Sequence, residues 1–266
     1  MSKLEVLVAT MHQTDFSKFY EMNIKGDVIF GNQTDRNEYL EKNILGKRVR
    51  MFSTDKRGVG RNRNLALLFS EGEICLLSDD DVVYVDNYEQ IVISAFNKLP
   101  EADIIIFNIE TLGKKINRRQ NTKIKRVRWY NFLNYGAVRI AFRRRSILRN
   151  NIWFSLVFGG GALYGAGEDS LFLRDSLKNH IKIFTYPEKI AFVKQETSTW
   201  FNGYNEKYFF DKGAFLSAAF PIMKYLIAIY YSYKYKNKVE YSFKTILTCM
   251  IKGIKAFNKD SNYEKS

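Results

Sequence analysis

The chain has 266 residues, with 46% apolar and 15% aromatic side chains, which supplies a sizeable core and excludes an intrinsically disordered protein. Its two cysteines and two histidines exclude a disulfide framework and a structural zinc site, and they favour a reducing, cytoplasmic compartment. The net charge of +14 is concentrated in the second half, where residues 111–167 carry 13 Lys or Arg and no acid. This asymmetry indicates a partner that bears phosphate.

The first 110 residues alternate strand-like and helical stretches. The chain opens on a short apolar run that we predict to be the first strand rather than a signal peptide. Short runs rich in Val, Ile and Leu predict strands, and apolar residues at helical spacing predict helices between them. The predicted strands are 4–10, 26–32, 73–78 and 102–110, and the predicted helices are 61–72 and 88–99. This order predicts an α/β fold whose mostly parallel sheet is covered by helices on both faces.

The later part of the chain is less regular. Residues 129–147 predict a strand that is followed by an Arg cluster. Residues 156–179 predict a Gly-rich loop that leads into an amphipathic helix, and residues 180–187 predict another strand. We therefore predict a catalytic domain over 1–212, divided near residue 110 into a ligand half and a second half. A basic, aromatic-rich helical region follows over 213–266.

The region 213–266 has two interpretations. Lysines flank apolar residues at helical spacing, as in a basic amphipathic helix that lies on an anionic bilayer. The alternative is a helical pair packed on the catalytic domain, with its lysines in solvent. The sequence does not separate these interpretations.

An acidic run, Asp79–Asp81, follows the apolar stretch 73–78 directly. Such a run is a solvated turn, a helix cap or a metal site. Ligands of parallel sheets collect at the carboxyl ends of the strands, where this run lies. Asp79 and Asp81 are two residues apart and point to the same side of an extended segment, and hard cations such as Mg²⁺ and Mn²⁺ take oxygen ligands.

Two motif blocks surround these acids. Residues 56–81, "KRGVGRNRNLALLFSEGEICLLSDDD", contain in order Gly58, Arg63-Asn64, Gly72-Glu73, and Asp79 with Asp81. In "YGAGEDSLFL" (164–173), Asp169 follows Glu168 where a loop enters a helix. Together these blocks resemble family 2 glycosyltransferases, and residues 198–213 are similar to the tail of bacterial capsular and exopolysaccharide members. The resemblance extends over about residues 4–200 and implies a GT-A fold: a Rossmann-like, mostly parallel central sheet flanked by helices, here with a C-terminal helical appendage.

The resemblance also implies roles in binding a nucleotide sugar. Asp81 would hold a Mn²⁺ or Mg²⁺ ion that bridges the two phosphates, and Asp79 would share the metal shell or contact the ribose. Arg63 would approach the donor or steady the acidic loop, and a structural salt bridge is its alternative. The remaining residues implied on the donor side are Thr10, Asn32, Asp35 and Asp80; Asp80 has no specific role and is the choice for a control substitution.

On the acceptor side, the resemblance implies that Asp169 is the general base and that Glu168 orients it or binds the acceptor. An inverting transfer needs a carboxylate to take the proton of the attacking hydroxyl. The alternative is that both acids complement the positive end of the helix. Many relatives carry a late His in the metal shell. Residues 191–204 contain none, so either Lys194, Gln195 or Glu196 is the substitute, or the metal has no third protein ligand.

These features predict an inverting, metal-dependent hexosyl-type glycosyltransferase that uses a nucleotide sugar, with UDP favoured. The resemblance implies a saccharide acceptor in bacterial surface polysaccharide synthesis, such as one carried on undecaprenyl pyrophosphate, and a peripheral position at the inner face of the cell membrane. The main alternative is a nucleic-acid-binding protein that uses basic and aromatic residues such as "RVRWYNF" (126–132). A nucleotidyltransferase ranks last, because residues 8–15 lack the Gly and Lys that would grip a triphosphate.

Overall fold

The computed structural model describes residues 3–112, 120–194 and 203–263. A ten-stranded sheet forms the centre of the molecule. In chain order the strands are β1 (Leu4–Met11), β2 (Asp27–Gln33), β3 (Glu38–Ile44), β4 (Lys47–Thr54), β5 (Ile74–Asp79), β6 (Val82–Tyr84), β7 (Ile104–Leu112), β8 (Lys125–Arg126), β9 (Ile140–Arg143) and β10 (Ile183–Lys194). The helices are α1 (Ser17–Glu21), α2 (Val59–Leu68), α3 (Tyr88–Lys98), α4 (Arg144–Arg149), α5 (Glu168–Lys178), α6 (Glu206–Ala219), α7 (Lys224–Tyr235) and α8 (Phe243–Tyr263).

The strand order is β3-β4-β2-β1-β5-β9-β7-β10-β6, with β8 paired to β10. Strands β4, β2, β1 and β5 are parallel neighbours, as are β7 and β10. Strand β9 lies antiparallel between β5 and β7. The mostly parallel sheet predicted from the sequence is therefore confirmed, and it places the carboxyl ends of β1, β2 and β5 side by side.

Apolar side chains on the two faces of the sheet fill two separate cores. In β1, Val6 and Val8 point into one core and Leu7 into the other, as the alternation of side chains along a strand requires. Helix α3 covers the first core, and α2 and α5 pack in the second. Burial on both faces explains why the central strands read as continuous apolar runs.

Helix α2 differs from its prediction, since it begins at Val59 and ends at Leu68 rather than spanning 61–72. The chain leaves the helix because a buried carboxylate binds the following backbone. Glu5 accepts the N–H groups of Glu71 and Gly72 at 2.7 and 2.9 Å. Arg50 donates to the same carboxylate at 2.6 Å, so the buried charge of Glu5 is paired.

The middle of the chain also departs from the prediction. The strand expected over 129–147 is limited to β9, with two short 3-10 turns before it and α4 after it. The last predicted strand is longer than expected, since β10 runs to Lys194. Strands β3 and β4 were not predicted. The exposed edge strand β3 (EYLEKNI) carries mostly polar side chains and gives no apolar signal.

The C-terminal region consists of three helices, and the boundary predicted between 212 and 213 falls inside α6. Helix α6 ends at Ala219, just before Phe220 and Pro221, since proline cannot continue a helix. Helices α6, α7 and α8 form a third core together with Phe158, Tyr164 and Leu171 from the Gly-rich loop and α5. The helical region is thus packed on the second half of the sheet domain.

Helices α6 and α8 cross at two glycines. A Cβ atom at Gly253 would lie 1.9 Å from the carbonyl oxygen of Phe210, and one at Gly213 would lie 2.0 Å from that of Met250. These distances are far below van der Waals contact, so both positions depend on the missing side chain.

We predict that Gly253→Ala lowers the free energy of unfolding by at least about 2 kcal/mol, because the helices must separate to admit the methyl group. This reverses the usual sign, since Gly→Ala inside a helix ordinarily stabilises by about 1 kcal/mol. Urea denaturation measures the difference. The exposed neighbour Lys252→Ala is the control, with an expected change within about 0.5 kcal/mol; a Gly253→Ala protein as stable as the wild type would contradict the close crossing.

Candidate active site

The carboxyl ends of β1, β2 and β5 place several polar residues close together. Thr10 lies opposite Asn32 in the β1–β2 pairing, and Ala9 lies opposite Asp79 in the β1–β5 pairing. Asp79 is the last residue of β5, and Asp80 and Asp81 form the turn into β6. The acidic run therefore lies at the edge of the sheet where the sequence predicted a ligand.

Arg63 is the central residue of this edge. Its guanidinium donates to Asp79 Oδ1 and to Glu168 Oε1, each at 2.7 Å. The side chain is 4% exposed and lies over the ring of Phe154, 5.6 Å from its centroid. Burial alone would lower the pKa of Arg63, but Asp79 and Glu168 raise it above its ordinary value, so the guanidinium stays charged. Arg63 thus links the two motif blocks, which are more than 80 residues apart in the sequence.

Contacts of other α2 residues with the rest of the protein hold Arg63 in this position. Asn64 forms two hydrogen bonds with the backbone of Phe154, donating to its carbonyl at 2.9 Å and accepting from its N–H at 2.8 Å. A Cβ atom at Gly60 would lie 2.1 Å from the carbonyl oxygen of Ser155, so α2 approaches this loop closely only because residue 60 is glycine. Asn62 donates to the carbonyl of Thr10 at 3.2 Å and ties the helix to β1.

The acidic turn is held from two sides. Thr10 donates its hydroxyl proton to Asp80 Oδ2 at 2.5 Å, and the N–H of Lys194 donates to the carbonyl of Asp81 at 2.8 Å. Asp80 is half-buried and anchored to β1, so it is not the uninvolved surface acid that a control substitution requires. Lys194 reaches Asp81 through its backbone, while its side chain is exposed; Gln195 and Glu196 lie outside the described residues.

The donor atoms at this edge suit a hard divalent cation. Asp79 and Asp81 supply carboxylate oxygens, and both residues are half-buried. Within residues 3–112, 120–194 and 203–263, no group of three or more His, Cys, Asp or Glu residues is arranged to hold a metal. Mg²⁺ is commonly held by one or two carboxylates together with substrate phosphates, so these residues fit a metal that binds jointly with a diphosphate.

Glu168 and Asp169 begin helix α5, and their environments differ. Glu168 is buried and paired with Arg63, whereas Asp169 accepts the N–H of Ser170 at 2.6 Å and is half-buried. Burial raises the pKa of Asp169 to about 6, the negative charge of Glu168 adds to the rise, and Arg63 opposes it. A carboxylate with such a pKa is ionised near neutral pH and is also a competent proton acceptor.

The other two predicted donor residues, Asn32 and Asp35, have partners outside the contacts of Arg63 with Asp79 and Glu168. Asn32 is fully buried, and its amide bonds the backbone of Gln13 at both atoms and the hydroxyl of Ser53 at 3.0 Å. Asn32 therefore shapes the loop after β1 rather than offering its side chain to a ligand. Asp35 is almost fully exposed in the loop after β2 and lies beside Arg36.

Comparison with known proteins shows which family this chain resembles. Residues 28–157 match the family described as glycosyl transferase family 2. The match includes Arg63 and the acidic turn and ends before Glu168. This segment is therefore similar to family 2 glycosyltransferases, as the motifs predicted, and together with the fold the match supports a glycosyltransferase. No curated protein matches the chain.

Solved structures of TarS from S. aureus share the fold. A TarS 1–349 complex with UDP-GlcNAc has a TM-score of 0.61 and 14% identity, with 88% of this chain and 73% of that chain covered. A complex with UDP has a TM-score of 0.59 and 15% identity, covering 88% and 72%. A further crystal structure of TarS 1–349 has a TM-score of 0.59 and 13% identity, with 97% of this chain and 92% of that chain covered. These similarities confirm the α/β architecture of the GT-A type.

We predict that Asp169→Asn abolishes sugar transfer and stabilises the folded protein at pH 7.5. Because the pKa of Asp169 is raised on folding, its ionisation favours the unfolded chain, and this cost accumulates as the pH rises from 3.8 to about 6. The gain in melting temperature should therefore be present above pH 6 and absent near pH 4. Differential scanning fluorimetry across this pH range measures the change in melting temperature. A destabilised Asp169→Asn protein at pH 7.5 would contradict a raised pKa for Asp169.

Proposed function

We propose that the protein transfers a sugar from a UDP-sugar to a hydroxyl group of a saccharide acceptor, with inversion at the anomeric carbon. The observation that carries this proposal is the Arg63 bridge, which holds the acidic turn and the start of α5 on opposite sides of one guanidinium. A donor on the first side and an acceptor on the second would meet beside Arg63. Two of the TarS structures are complexes with UDP-GlcNAc and with UDP, which supports a UDP-linked donor.

In this proposal, Asp169 removes the proton of the acceptor hydroxyl as its oxygen forms a bond to the anomeric carbon. The bond between that carbon and the diphosphate breaks on the opposite face, and UDP leaves with the bonding electrons. The raised pKa of Asp169 suits the proton transfer. Glu168 cannot take this role while its carboxylate is paired with Arg63, so its task is to fix Arg63 and the first turn of α5.

Asp81 and Asp79 are the residues that would hold a Mn²⁺ or Mg²⁺ ion. A bound ion would offset the negative charge that grows on the leaving diphosphate. Asp79 shares its carboxylate with Arg63, so this residue also connects the donor side to the acceptor side. Thr10 fixes the turn through Asp80 and belongs to the same donor side.

The test of donor and metal is thermal stabilisation by a panel of nucleotide sugars, each with and without Mn²⁺. We expect a UDP-sugar to raise the melting temperature only when the metal is present, since a ligand that binds the folded state alone stabilises it by mass action. Asp81→Ala should remove the metal-dependent part of the shift and leave the unliganded melting temperature near that of the wild type.

Asp86→Ala is the matched control, because Asp86 is a nearby exposed acid in the loop after β6. It should retain the full metal-dependent shift. Equal stabilisation of the Asp81→Ala protein and the wild type by UDP and Mn²⁺ would remove Asp81 from the metal site. Stabilisation by GDP-sugars in place of UDP-sugars would overturn the choice of donor.

We further propose that α7 rests on the surface of an anionic membrane, where a lipid-linked acceptor of surface polysaccharide synthesis is found. No helix among the described residues has the length and apolarity to cross a bilayer. One face of α7 and of the turn before it is nevertheless apolar or aromatic and exposed, with Ile222 94%, Leu226 66% and Tyr230 60% exposed. The segment 222–238 contains four lysines and no acid, which complements anionic headgroups.

We predict that Leu226→Glu weakens binding to vesicles of phosphatidylcholine and phosphatidylglycerol by about tenfold or more, since a buried Leu contributes roughly 1.5–3 kcal/mol. Cosedimentation measures the binding, and vesicles of phosphatidylcholine alone report the contribution of the lysines. Leu45→Glu is the control, because Leu45 is the same residue type and is also exposed, but lies at the turn between β3 and β4. Identical loss in both variants would argue against α7 as the contact.

A further inference from the structure

The Gly-rich loop before α5 closes on itself and leaves a short connection to the helix. Gly159 donates its N–H to the carbonyl of Tyr164 at 2.8 Å, which closes the loop. Residues 165–167 then lead directly into α5, whose second residue is Asp169. The position of the candidate base therefore depends on the contacts that hold residues 165–167 in place.

Helix α6 of the C-terminal region contacts this connection at two points. The carboxylate of Asp211 accepts the N–H of Gly165 at 3.0 Å. The ring of Phe215, one turn later on α6, packs against Gly167, where a Cβ atom would lie 2.5 Å from Cδ2 of that ring. Gly167 has a φ of +119°, which favours glycine. Both contacts come from one face of α6, since residues four apart lie on the same side of a helix.

The carboxylate of Asp211 is itself held by a lysine of the same helix. The ammonium of Lys207, one turn earlier, donates to both carboxylate oxygens of Asp211, at 2.6 and 2.7 Å. It also donates to the carbonyl of Leu163 at 3.1 Å, so the ion pair binds the loop at residues 163 and 165. The side chain of Asp211 is only 13% exposed, and hydrogen bonds to an ionised group are stronger than those between neutral groups. The ion pair thus orients the oxygen that accepts the Gly165 N–H.

We infer that Asp211 is a positioning residue for the proposed sugar transfer, and that it holds the start of α5 where Asp169 can reach the acceptor hydroxyl. This inference rests on the proposed function and extends it, because it gives helix α6 a part in the reaction. Asp211 acts through the loop rather than by contact with a substrate. Misplacement of a reacting group by about 1 Å can slow a reaction about a hundredfold, so release of Gly165 should slow the transfer.

The test is the hydrolysis of UDP-GlcNAc, UDP-glucose and UDP-galactose by the full chain with Mn²⁺, in which water takes the place of the acceptor hydroxyl. Rates are measured at a temperature where circular dichroism shows each variant to be folded. We expect Asp211→Ala to lower kcat by about tenfold or more and to leave KM for the UDP-sugar within about twofold, because the change lies on the acceptor side. Asp211→Asn keeps an oxygen that can accept the Gly165 N–H, so it should retain most of kcat.

Ser217→Ala is the matched control on the same helix. Ser217 is buried and donates its hydroxyl proton to Asn258 of α8 at 2.7 Å, so this variant also loses a hydrogen bond of α6 but none to the loop. It should lower the melting temperature and keep the wild-type kcat. Lys207→Met is a second test, because Lys207 is 61% exposed and its replacement should not prevent folding. Loss of its bond to the loop should lower kcat by about threefold or more.

Three outcomes would overturn the role of Asp211. They are a folded Asp211→Ala protein with the wild-type kcat, equal losses of kcat in Asp211→Ala and Asp211→Asn, and equal losses in Asp211→Ala and Ser217→Ala. If the Asp211→Ala protein does not fold, a wild-type kcat in Lys207→Met overturns the role. Failure of the proposed function gives a different result, since the wild type would then hydrolyse none of the UDP-sugars or Asp169→Asn would hydrolyse them at the wild-type rate.

Discussion

A buried guanidinium shared by two carboxylates is the interaction on which this site depends. Arg63 is almost inaccessible to water, and leaving it unpaired would cost several kcal/mol. Asp79 at the end of β5 and Glu168 at the start of α5 must therefore both reach it. Helix α2 is fixed in turn, since Asn64 binds the backbone of Phe154 on one side and Asn62 binds β1 on the other. The need to pair Arg63 thus fixes how far the end of β5, the loop at Phe154 and the start of α5 lie from one another.

The pairing with Arg63 also gives the neighbouring carboxylates of Glu168 and Asp169 different environments. Glu168 is neutralised by Arg63 and stays a structural acid, while Asp169, one residue later, is left with a raised pKa. Adjacent residues on a helix point about 100° apart, so one helix start can present a paired and an unpaired carboxylate at once. The unpaired acid reduces stability in the neutral pH range, which is a common property of groups that act on substrates.

Much of this arrangement could be predicted from the sequence, because apolar runs mark the buried strands and the two motif blocks carry the charged residues. Periodicity identified β1, β2, β5, α3 and α5 with small shifts at their ends. The contacts of single side chains could not be predicted. No local pattern shows that Glu5 would end α2 early, that Asn32 would be buried beside Gln13, or that Thr10 would bind Asp80, since each contact joins residues distant in the chain. The polar edge strand β3 was missed for the opposite reason, because it has little burial to leave an apolar pattern.

The shared core of the C-terminal helices and the Gly-rich loop has a consequence for how the protein unfolds. Phe158 and Tyr164 of the loop pack among side chains of α6 and α8 rather than within the two cores of the sheet. Local opening of the helices therefore exposes the loop that leads to Asp169, while the strands beneath can stay paired. Because the loop packs in the third core and the strands pack in the other two, we expect heat or denaturant to disorder the loop before it separates the strands.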